Sequence, residues 1–206
     1  SKSKNYYELS NFYGGAEICY MTKRFKNPKM KAFVASFHNV DSTKFVKLLK
    51  MLQPGKKWNE KKEMYWFRDG KPIPGVLAKL VGGIVKKTPT MKRRAKVISN
   101  HLGISVEEVF DSKLTGENEL VECVRTKFRK QPFKDILLNT FTASLHEKPL
   151  RGKGNYWTKP GGDAFGKILV KIRNELKTNK KTSSNAKQKL NEAAATIYAH
   201  FKQKQK

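Results

Sequence analysis

The sequence predicts one domain of the mixed α+β class, and three observations support this. A chain of 206 residues is long enough for one hydrophobic core and short for two. Its 38% hydrophobic and 11% aromatic residues supply enough apolar surface for folding, which excludes a wholly disordered protein. Stretches with a helical period of apolar residues alternate with short aromatic runs that are typical of strands.

The amino-terminal region is predicted to contain strands. Ile18 and Tyr20, followed by the apolar run at 33–37, have the spacing and composition of strands. The basic stretch between them, at 21–31, contains a proline and is predicted to be a loop. A short aromatic strand at 64–67 comes next, and Asp69–Gly70 marks a turn after it.

Capping residues and apolar periodicity predict the helices that follow. In chain order these lie at 42–52 behind Asp41, at 76–85, at about 90–102 before Gly103, after Ser105, at 119–129, at 133–138, from Asp163 to Leu176, and at 187–202. The last one carries the most regular apolar stripe of the chain, and we expect it to pack on the body or on a neighbouring molecule.

The charge balance predicts a polyanionic partner. There are 44 Lys plus Arg against 17 Asp plus Glu, a net charge of +27, and 36 of the basic residues are lysines. Lysine is a point charge for phosphate, whereas arginine forms the bidentate forks that recognise bases, so nucleic acid or an acidic protein surface is expected to bind without sequence specificity. The candidate nucleic-acid contacts are Lys92, Arg93, Arg94, Lys127, Arg129 and Lys130.

Several classes of protein are disfavoured. Cys19 and Cys123 lack the spacing of a zinc site, and we expect two buried thiols in a reducing, intracellular compartment. The four histidines are scattered, so no metal site and no cofactor is predicted. No apolar run is long enough to span a membrane, and no signal peptide is expected.

The segment 98–109 has the spacing of a helix-turn-helix, which would make the chain a DNA-binding protein using residues 91–112. Its second helix would begin with Glu107 and Glu108, and these carboxylates would face the phosphates. Two packed helices are therefore the favoured interpretation, and DNA recognition by this element is the third functional hypothesis.

Three stretches, taken together and in order, resemble a known family. Residues 8–13 read Glu-Leu-Ser-Asn-Phe-Tyr. Residues 120–140 contain Lys127-Phe128, a short turn and then Leu-Leu-Asn-Thr. Residues 145–173 run from Leu-His-Glu through Trp157 to Gly-Gly-Asp-Ala-Phe-Gly and end at an arginine. This order resembles the NADAR family, the YbiA-like N-glycosidases that act on ADP-ribose-type and riboflavin-pathway N-glycosides.

The resemblance implies an architecture and a set of site residues. A NADAR-like domain would cover 1–176, with an insertion at about 21–71. Composition and apolar period add a linker at 177–186 and a carboxyl-terminal amphipathic helix at 187–206, which packs on the body or forms an assembly with a neighbour. The residues expected to bind an ADP-ribose-like ligand are Asn11, Tyr13, Trp157, Gly161 and Gly162. The candidate catalytic carboxylates are Glu17, Glu147 and Asp163.

The match is incomplete at the family's Ser/Val-Glu-His-x-x-Gln-Ala-x-Lys helix, which supplies an acidic residue and a lysine to the sugar site. Residues 74–84 place Leu77, Ala78, Val81 and Ile84 at its defining positions, and 28–37 place Lys29-Met30 there, so neither register keeps the acid. Gly154 likewise replaces an expected aspartate. Cleavage of an N-glycosidic bond needs a carboxylate beside the developing cation.

The preferred hypothesis is therefore a catalytically degenerate, basic NADAR-like protein that binds a polyanion or takes part in an assembly. Lysine-rich composition is typical of an AT-rich genome, and the family's presence in large DNA viruses and phages implies a virion or minor capsid protein as one setting. The alternative is an active N-glycosidase, or ADP-ribosyl glycohydrolase, whose acid comes from another position.

Overall fold

The computed structural model of the chain describes residues 7–57, 59, 66–113, 116–146, 163–178 and 188. The chain divides into two compact units, Ser1–Ile136 and Leu137–Lys206. Helices dominate the described residues, and one two-stranded sheet accompanies them in the first unit. This agrees with the mixed α+β class in its coarse form.

The helices of the described part are short, and three turns of 3₁₀ helix connect or precede them. The α-helices are α1 Ala16–Arg24, α2 Pro28–Ala35, α3 Ser42–Met51, α4 Gly75–Gly82, α5 Pro89–Leu102, α6 Val106–Phe110, α7 Glu117–Phe128, α8 Phe133–Leu138 and α9 164–178. The 3₁₀ turns are Tyr7–Leu9, Ser36–Asn39 and Gly83–Lys86.

Helices with clear caps begin and end where the sequence predicts. The Asp41 side chain accepts a hydrogen bond from the Lys44 N–H at 2.7 Å and starts α3. α5 ends at Gly103, whose φ of 59° lies in the left-handed region that glycine adopts without strain. Ser105 and Glu108 form a capping box at the start of α6. These three predictions are confirmed.

The predicted turn at Asp69–Gly70 is confirmed. β1 Phe67–Arg68 and β2 Lys71–Pro72 pair antiparallel, with Arg68 opposite Lys71. Asp69 and Gly70 have φ angles of 48° and 73°, and two positive φ angles are what a tight hairpin turn requires.

The strands predicted at Ile18 and Tyr20 and at 33–37 are wrong, as is the loop at 21–31. Those residues form α1, α2 and the 3₁₀ turn Ser36–Asn39. The physical reason is a helical period of buried side chains, which recur three or four residues apart at Met30, Phe33, Val34 and Phe37.

The core of the first unit forms around α4. This helix contacts α1 and α2, and Leu77, Ala78 and Val81 have no exposed surface. Phe25, Phe37 and Phe45 of the region predicted to be an insertion belong to the same hydrophobic cluster. The apolar character of 76–84 therefore serves packing.

The prediction of two free thiols is wrong, because Cys19 and Cys123 form a disulfide. The two residues are 104 positions apart in the sequence, yet their Cα atoms lie 5.7 Å apart because α1 packs beside α7. Disulfides persist in oxidising surroundings, so the expectation of a reducing compartment loses its basis.

The predicted linker and carboxyl-terminal helix lie almost wholly outside the described residues. Residues 177 and 178 are the last turn of α9, and residue 188 is helical. The predictions for the rest of 177–206 remain predictions.

Candidate active site

A buried carboxylate lies at the start of α1. Glu17 is the second residue of this helix and is 4% exposed. The side-chain amide of Asn11 donates a hydrogen bond to the Glu17 Oε2 atom, and the Glu17 N–H donates to the Asn11 carbonyl at 2.9 Å. The positive end of a helix dipole favours a negative charge at this position. The two residues form a fixed amide–carboxylate pair.

One hydrogen-bond acceptor of this pair has no partner among the described residues. Within the described part of the chain, the Oδ1 atom of Asn11 is buried and accepts no hydrogen bond. Buried polar atoms are nearly always satisfied, and exceptions commonly mark a place where water or a ligand supplies the partner.

Glu17 is one of the three carboxylates that the sequence offers as catalytic candidates, and it lies buried on α1. Residues 16–24 read Ala-Glu-Ile-Cys-Tyr-Met-Thr-Lys-Arg, so Arg24 follows Glu17 by seven residues on the same helix.

A tight loop places two of the predicted ligand-binding residues on the segment that leads to Glu17. Gly14 and Gly15 have φ angles of 65° and 82° and turn the chain into α1. The Tyr13 N–H donates to the Ser10 carbonyl at 3.2 Å and closes the preceding turn. Asn11, Tyr13 and Glu17 thus lie within one continuous segment, and the first two belong to the matching stretch 8–13.

His38 lies against this loop, and no sequence motif predicts that position. A Cβ atom on Gly15 would lie 2.2 Å from the His38 Cε1 atom, so only glycine leaves room for the ring. Burial, and then the positive charge of Lys130, lower the pKa of His38. The lowered pKa favours the neutral imidazole, the form that can accept a proton. The 3₁₀ turn Ser36–Asn39 places the His38 ring against Gly15.

A close backbone approach holds the loop against the core. A Cβ atom on Gly75, the first residue of α4, would lie 2.5 Å from the Phe12 carbonyl oxygen. On the other side, the Lys79 Nζ atom lies 4.6 Å from the centre of the Phe12 ring. Phe12 is thus fixed by α4, and with it the adjacent Asn11.

We expect a Gly75→Ala variant to lose about 2 kcal/mol or more of unfolding free energy, because the new methyl group meets main-chain atoms that cannot rotate away. Urea unfolding of the full chain measures this. Gly83→Ala is the matched control, since its φ of −64° suits alanine and its Cβ atom would make only ordinary contacts, the nearest to the Met91 Sδ atom at 3.7 Å, so its effect should stay within about 0.5 kcal/mol. Equal stability of the Gly75→Ala variant and the wild type would contradict the close approach.

The prediction that Lys127 and Arg94 contact nucleic acid does not hold. Lys127 is 2% exposed and Arg94 is 5% exposed, so neither side chain is available on the surface. Arg94 donates to the main-chain carbonyls of Leu52 and Leu80, the latter at 2.7 Å. Burial lowers the pKa of the Arg94 guanidinium. Both cations hold main-chain oxygen atoms inside the first unit.

The other predicted basic contacts are exposed. Lys92 and Arg93 lie on the solvent side of α5, next to Lys96 one turn further on. Arg129 and Lys130 follow the end of α7 and are exposed as well. These positions remain candidates for contact with a polyanion.

Burial lowers the pKa of Lys127 from its ordinary value of 10.5 to about 7. Between these values the unfolded chain binds a proton that the folded chain does not, so the free energy of unfolding should rise with pH over this window. Urea unfolding between pH 7.5 and 9 should show a slope about 1 kcal/mol per pH unit steeper for the wild type than for Lys127→Met. Parallel curves of unfolding free energy against pH for the two proteins would contradict the lowered pKa of Lys127.

The α5–α6 pair is a poor match for a DNA-reading element. α6 runs for 5 residues, and its Glu108 accepts hydrogen bonds from the Asn27 side chain and the Ser105 N–H, each at 2.8 Å. Glu107 beside it is exposed. A one-turn helix with acidic residues facing outward favours the interpretation as two packed helices.

In the second unit, Asp163 acts as the predicted helix cap. It is 8% exposed, and its Oδ1 atom accepts a hydrogen bond from the Gly166 N–H at 3.2 Å at the start of α9. Its Oδ2 atom pairs with the Nδ1 atom of His146, whose side chain is 72% exposed. Arg173 donates to the Thr140 hydroxyl at 2.8 Å and is 4% exposed.

The remaining candidates lie outside the described residues. These are Glu147, Trp157, Gly161 and Gly162. Their assignment as catalytic or ligand-binding residues stays a prediction.

Comparison of the chain with protein families, with curated proteins and with solved structures finds no match. Among the residues that the structure describes, no helix has the length and apolar character needed to cross a membrane. In the same part of the chain, His, Cys, Asp and Glu side chains form no group of three that could hold a metal ion.

Proposed function

We propose that this protein is an N-glycosidase of the NADAR type, with Glu17 as its working carboxylate. The observation that carries the proposal is the buried pair of Glu17 and Asn11, with its unused Asn11 Oδ1 acceptor. Glu17 is then the carboxylate that cleavage of the N-glycosidic bond requires.

The pair suits cleavage of a bond between a sugar and a base. Departure of the base leaves a positive charge on the ribose, and a carboxylate held close to the anomeric carbon stabilises it or activates water. Asn11 fixes the orientation of that carboxylate, and its free acceptor suits a ribose hydroxyl. A carboxylate aimed before the reaction costs no reorganisation when charge develops.

Arg24 changes one part of the family's chemistry. If Glu17 is placed at the glutamate of the family motif, Arg24 falls where the motif has a lysine, and a guanidinium stays protonated and cannot attack a sugar as a free amine. Its Nε atom is buried and makes no hydrogen bond among the described residues. The proposed mechanism therefore uses the carboxylate for charge stabilisation or water activation and assigns no covalent step to this position.

The substrate class follows from the resemblance and from the charge. The family acts on ADP-ribose-type N-glycosides, whose pyrophosphate is anionic, and a net charge of +27 attracts such ligands. The test is incubation of the purified protein with guanosine ADP-ribosylated on its base, followed by chromatography. Release of free ADP-ribose is the expected result. An unchanged substrate at stoichiometric protein, with riboflavin-pathway N-glycosides also intact, would contradict the proposal.

Binding of a polyanion is the second candidate function, favoured by the exposed side chains of Lys92, Arg93 and Lys96 on one side of α5. Affinity for duplex DNA should fall steeply with salt and show little sequence preference. A Lys92→Glu/Arg93→Glu variant should bind more weakly and with a smaller salt dependence. Unchanged binding by this variant would reject α5 as the surface.

A further inference from the structure

The buried amino group of Lys127 is hydrogen-bonded to main-chain oxygen atoms. Its Nζ atom donates to the carbonyls of Glu8 and Ser10, the latter at 2.7 Å. Both acceptors belong to one short segment that ends directly before Asn11. A polar group buried to this degree is costly unless hydrogen bonds compensate it, so these two contacts fix the segment 8–10.

The Lys127 side chain is confined on its other sides as well. A Cβ atom on Gly14 would lie 2.9 Å from its carbon atoms, so glycine is the residue that leaves room for it. The Nζ atom lies 4.9 Å from the centre of the Phe133 ring and 4.8 Å from that of Phe128. When the group is protonated, its attraction to the two aromatic rings adds to the hydrogen bonds. These contacts confine the Nζ atom.

We propose that Lys127 is a positioning residue of the candidate active site. By holding 8–10, it sets the place of Asn11 and, through the Asn11 amide, the orientation of the Glu17 carboxylate. The expected effect on turnover rests on the proposed function. The expected effect on the positions of Asn11 and Glu17 does not.

Direct chemistry by Lys127 does not fit its surroundings. Its Nζ atom is committed to two main-chain carbonyls, and Gly14 and Phe133 enclose the side chain. A nucleophile or general base must reach the substrate or the proton that it takes. The side chain therefore acts through Asn11.

α7 also holds the helix that carries Glu17, the hydrogen-bond partner of Asn11. Cys123, one helical turn before Lys127, forms the disulfide with Cys19, which lies two residues after Glu17 on α1. One helix thus fixes the segment that carries Asn11 and the helix that carries Glu17. This explains why a lysine in the interior is placed here.

The test compares Lys127→Met with Arg94→Met in the full chain. Arg94 is the matched control, because it is the other buried cation that donates to two main-chain carbonyls of the first unit. The first readout is the side-chain amide signal of Asn11 in a ¹⁵N–¹H spectrum, assigned with an Asn11→Asp variant. The second is the division of any activity loss between kcat and KM.

We expect Lys127→Met to displace the Asn11 signal and to lower kcat about 10–100-fold with KM within about threefold of wild type, because misplacement acts on the reacting geometry. Arg94→Met should leave both readouts unchanged. An unmoved Asn11 signal in Lys127→Met, or an equal displacement in Arg94→Met, overturns the proposal.

Two further outcomes keep the test decisive. If Lys127→Met does not fold, Lys127→Arg and Arg94→Lys replace the pair, and only the former should displace the Asn11 signal, because a guanidinium is too large for the space under Gly14. If the wild type shows no turnover, the proposed function fails, and the Asn11 signal still decides whether Lys127 positions that residue.

Discussion

A Glu17→Gln variant should release ADP-ribose from ADP-ribosylated guanosine at least about 100-fold more slowly than the wild type. Glutamine has nearly the same shape, and its side-chain oxygen can still accept the hydrogen bond from Asn11. It lacks the negative charge that stabilises the positive ribose in the transition state. The measurement is kcat at saturating substrate, followed by chromatography.

The control for this prediction is Glu122→Gln. Glu122 lies on α7, and its exposed side chain pairs with Lys23, so the variant makes the same chemical change at a surface site. Exposed ion pairs contribute little to stability, and turnover should remain at the wild-type level. Wild-type turnover by Glu17→Gln, with both variants folded, would remove Glu17 from the mechanism.

Reduction of the Cys19–Cys123 disulfide should lower the free energy of unfolding by about 2–5 kcal/mol. The bond joins residues that are 104 positions apart, so it removes a large loop from the unfolded ensemble. Urea unfolding with and without a phosphine reductant measures the difference in one sequence. These are the two cysteines of the chain, so no other thiol contributes.

A Cys19→Ala/Cys123→Ala variant provides the control. Its unfolding should resemble that of the reduced wild type and should not respond to the reductant. Coincident transitions for reduced and oxidised wild type, or mass spectrometry that finds two free thiols in the native protein, would show that the bond is absent or unimportant.

Elements with local signals could be predicted from the sequence. α3, α5 and α6 carry a side-chain cap or a glycine stop, which are interactions between residues close in sequence. α1 has no such mark, because Gly15 precedes it in a left-handed conformation and makes no side-chain cap. The tertiary packing of α1 against α4 and α7 decides its conformation, and local patterns do not contain that information.

The candidate site was predictable in part. The match at 8–13 led to Asn11 and Tyr13, and Glu17 was one of three candidate carboxylates. The stretch 74–84 keeps no acidic residue, and packing in the core explains its apolar period. Lys127 sits in a basic run that resembles a surface, and only the fold shows that its ammonium is enclosed.

The disulfide was missed for a related reason. Cys19 and Cys123 are distant in sequence, and a single pair is a weak signal for oxidation. Their approach depends on the contact between α1 and α7. The same contact unites the helices that carry Glu17 and Lys127.

Titration of the ¹⁵N-labelled wild-type protein with ADP-ribose tests the central claim most directly, because the reaction's product must occupy the sugar site. If Glu17 and Asn11 form that site, the largest changes will fall on the amide signals of 11–18 and on the Asn11 side chain. Changes confined to Lys92, Arg93 and Lys96 on α5, or none at millimolar ADP-ribose, would contradict the account.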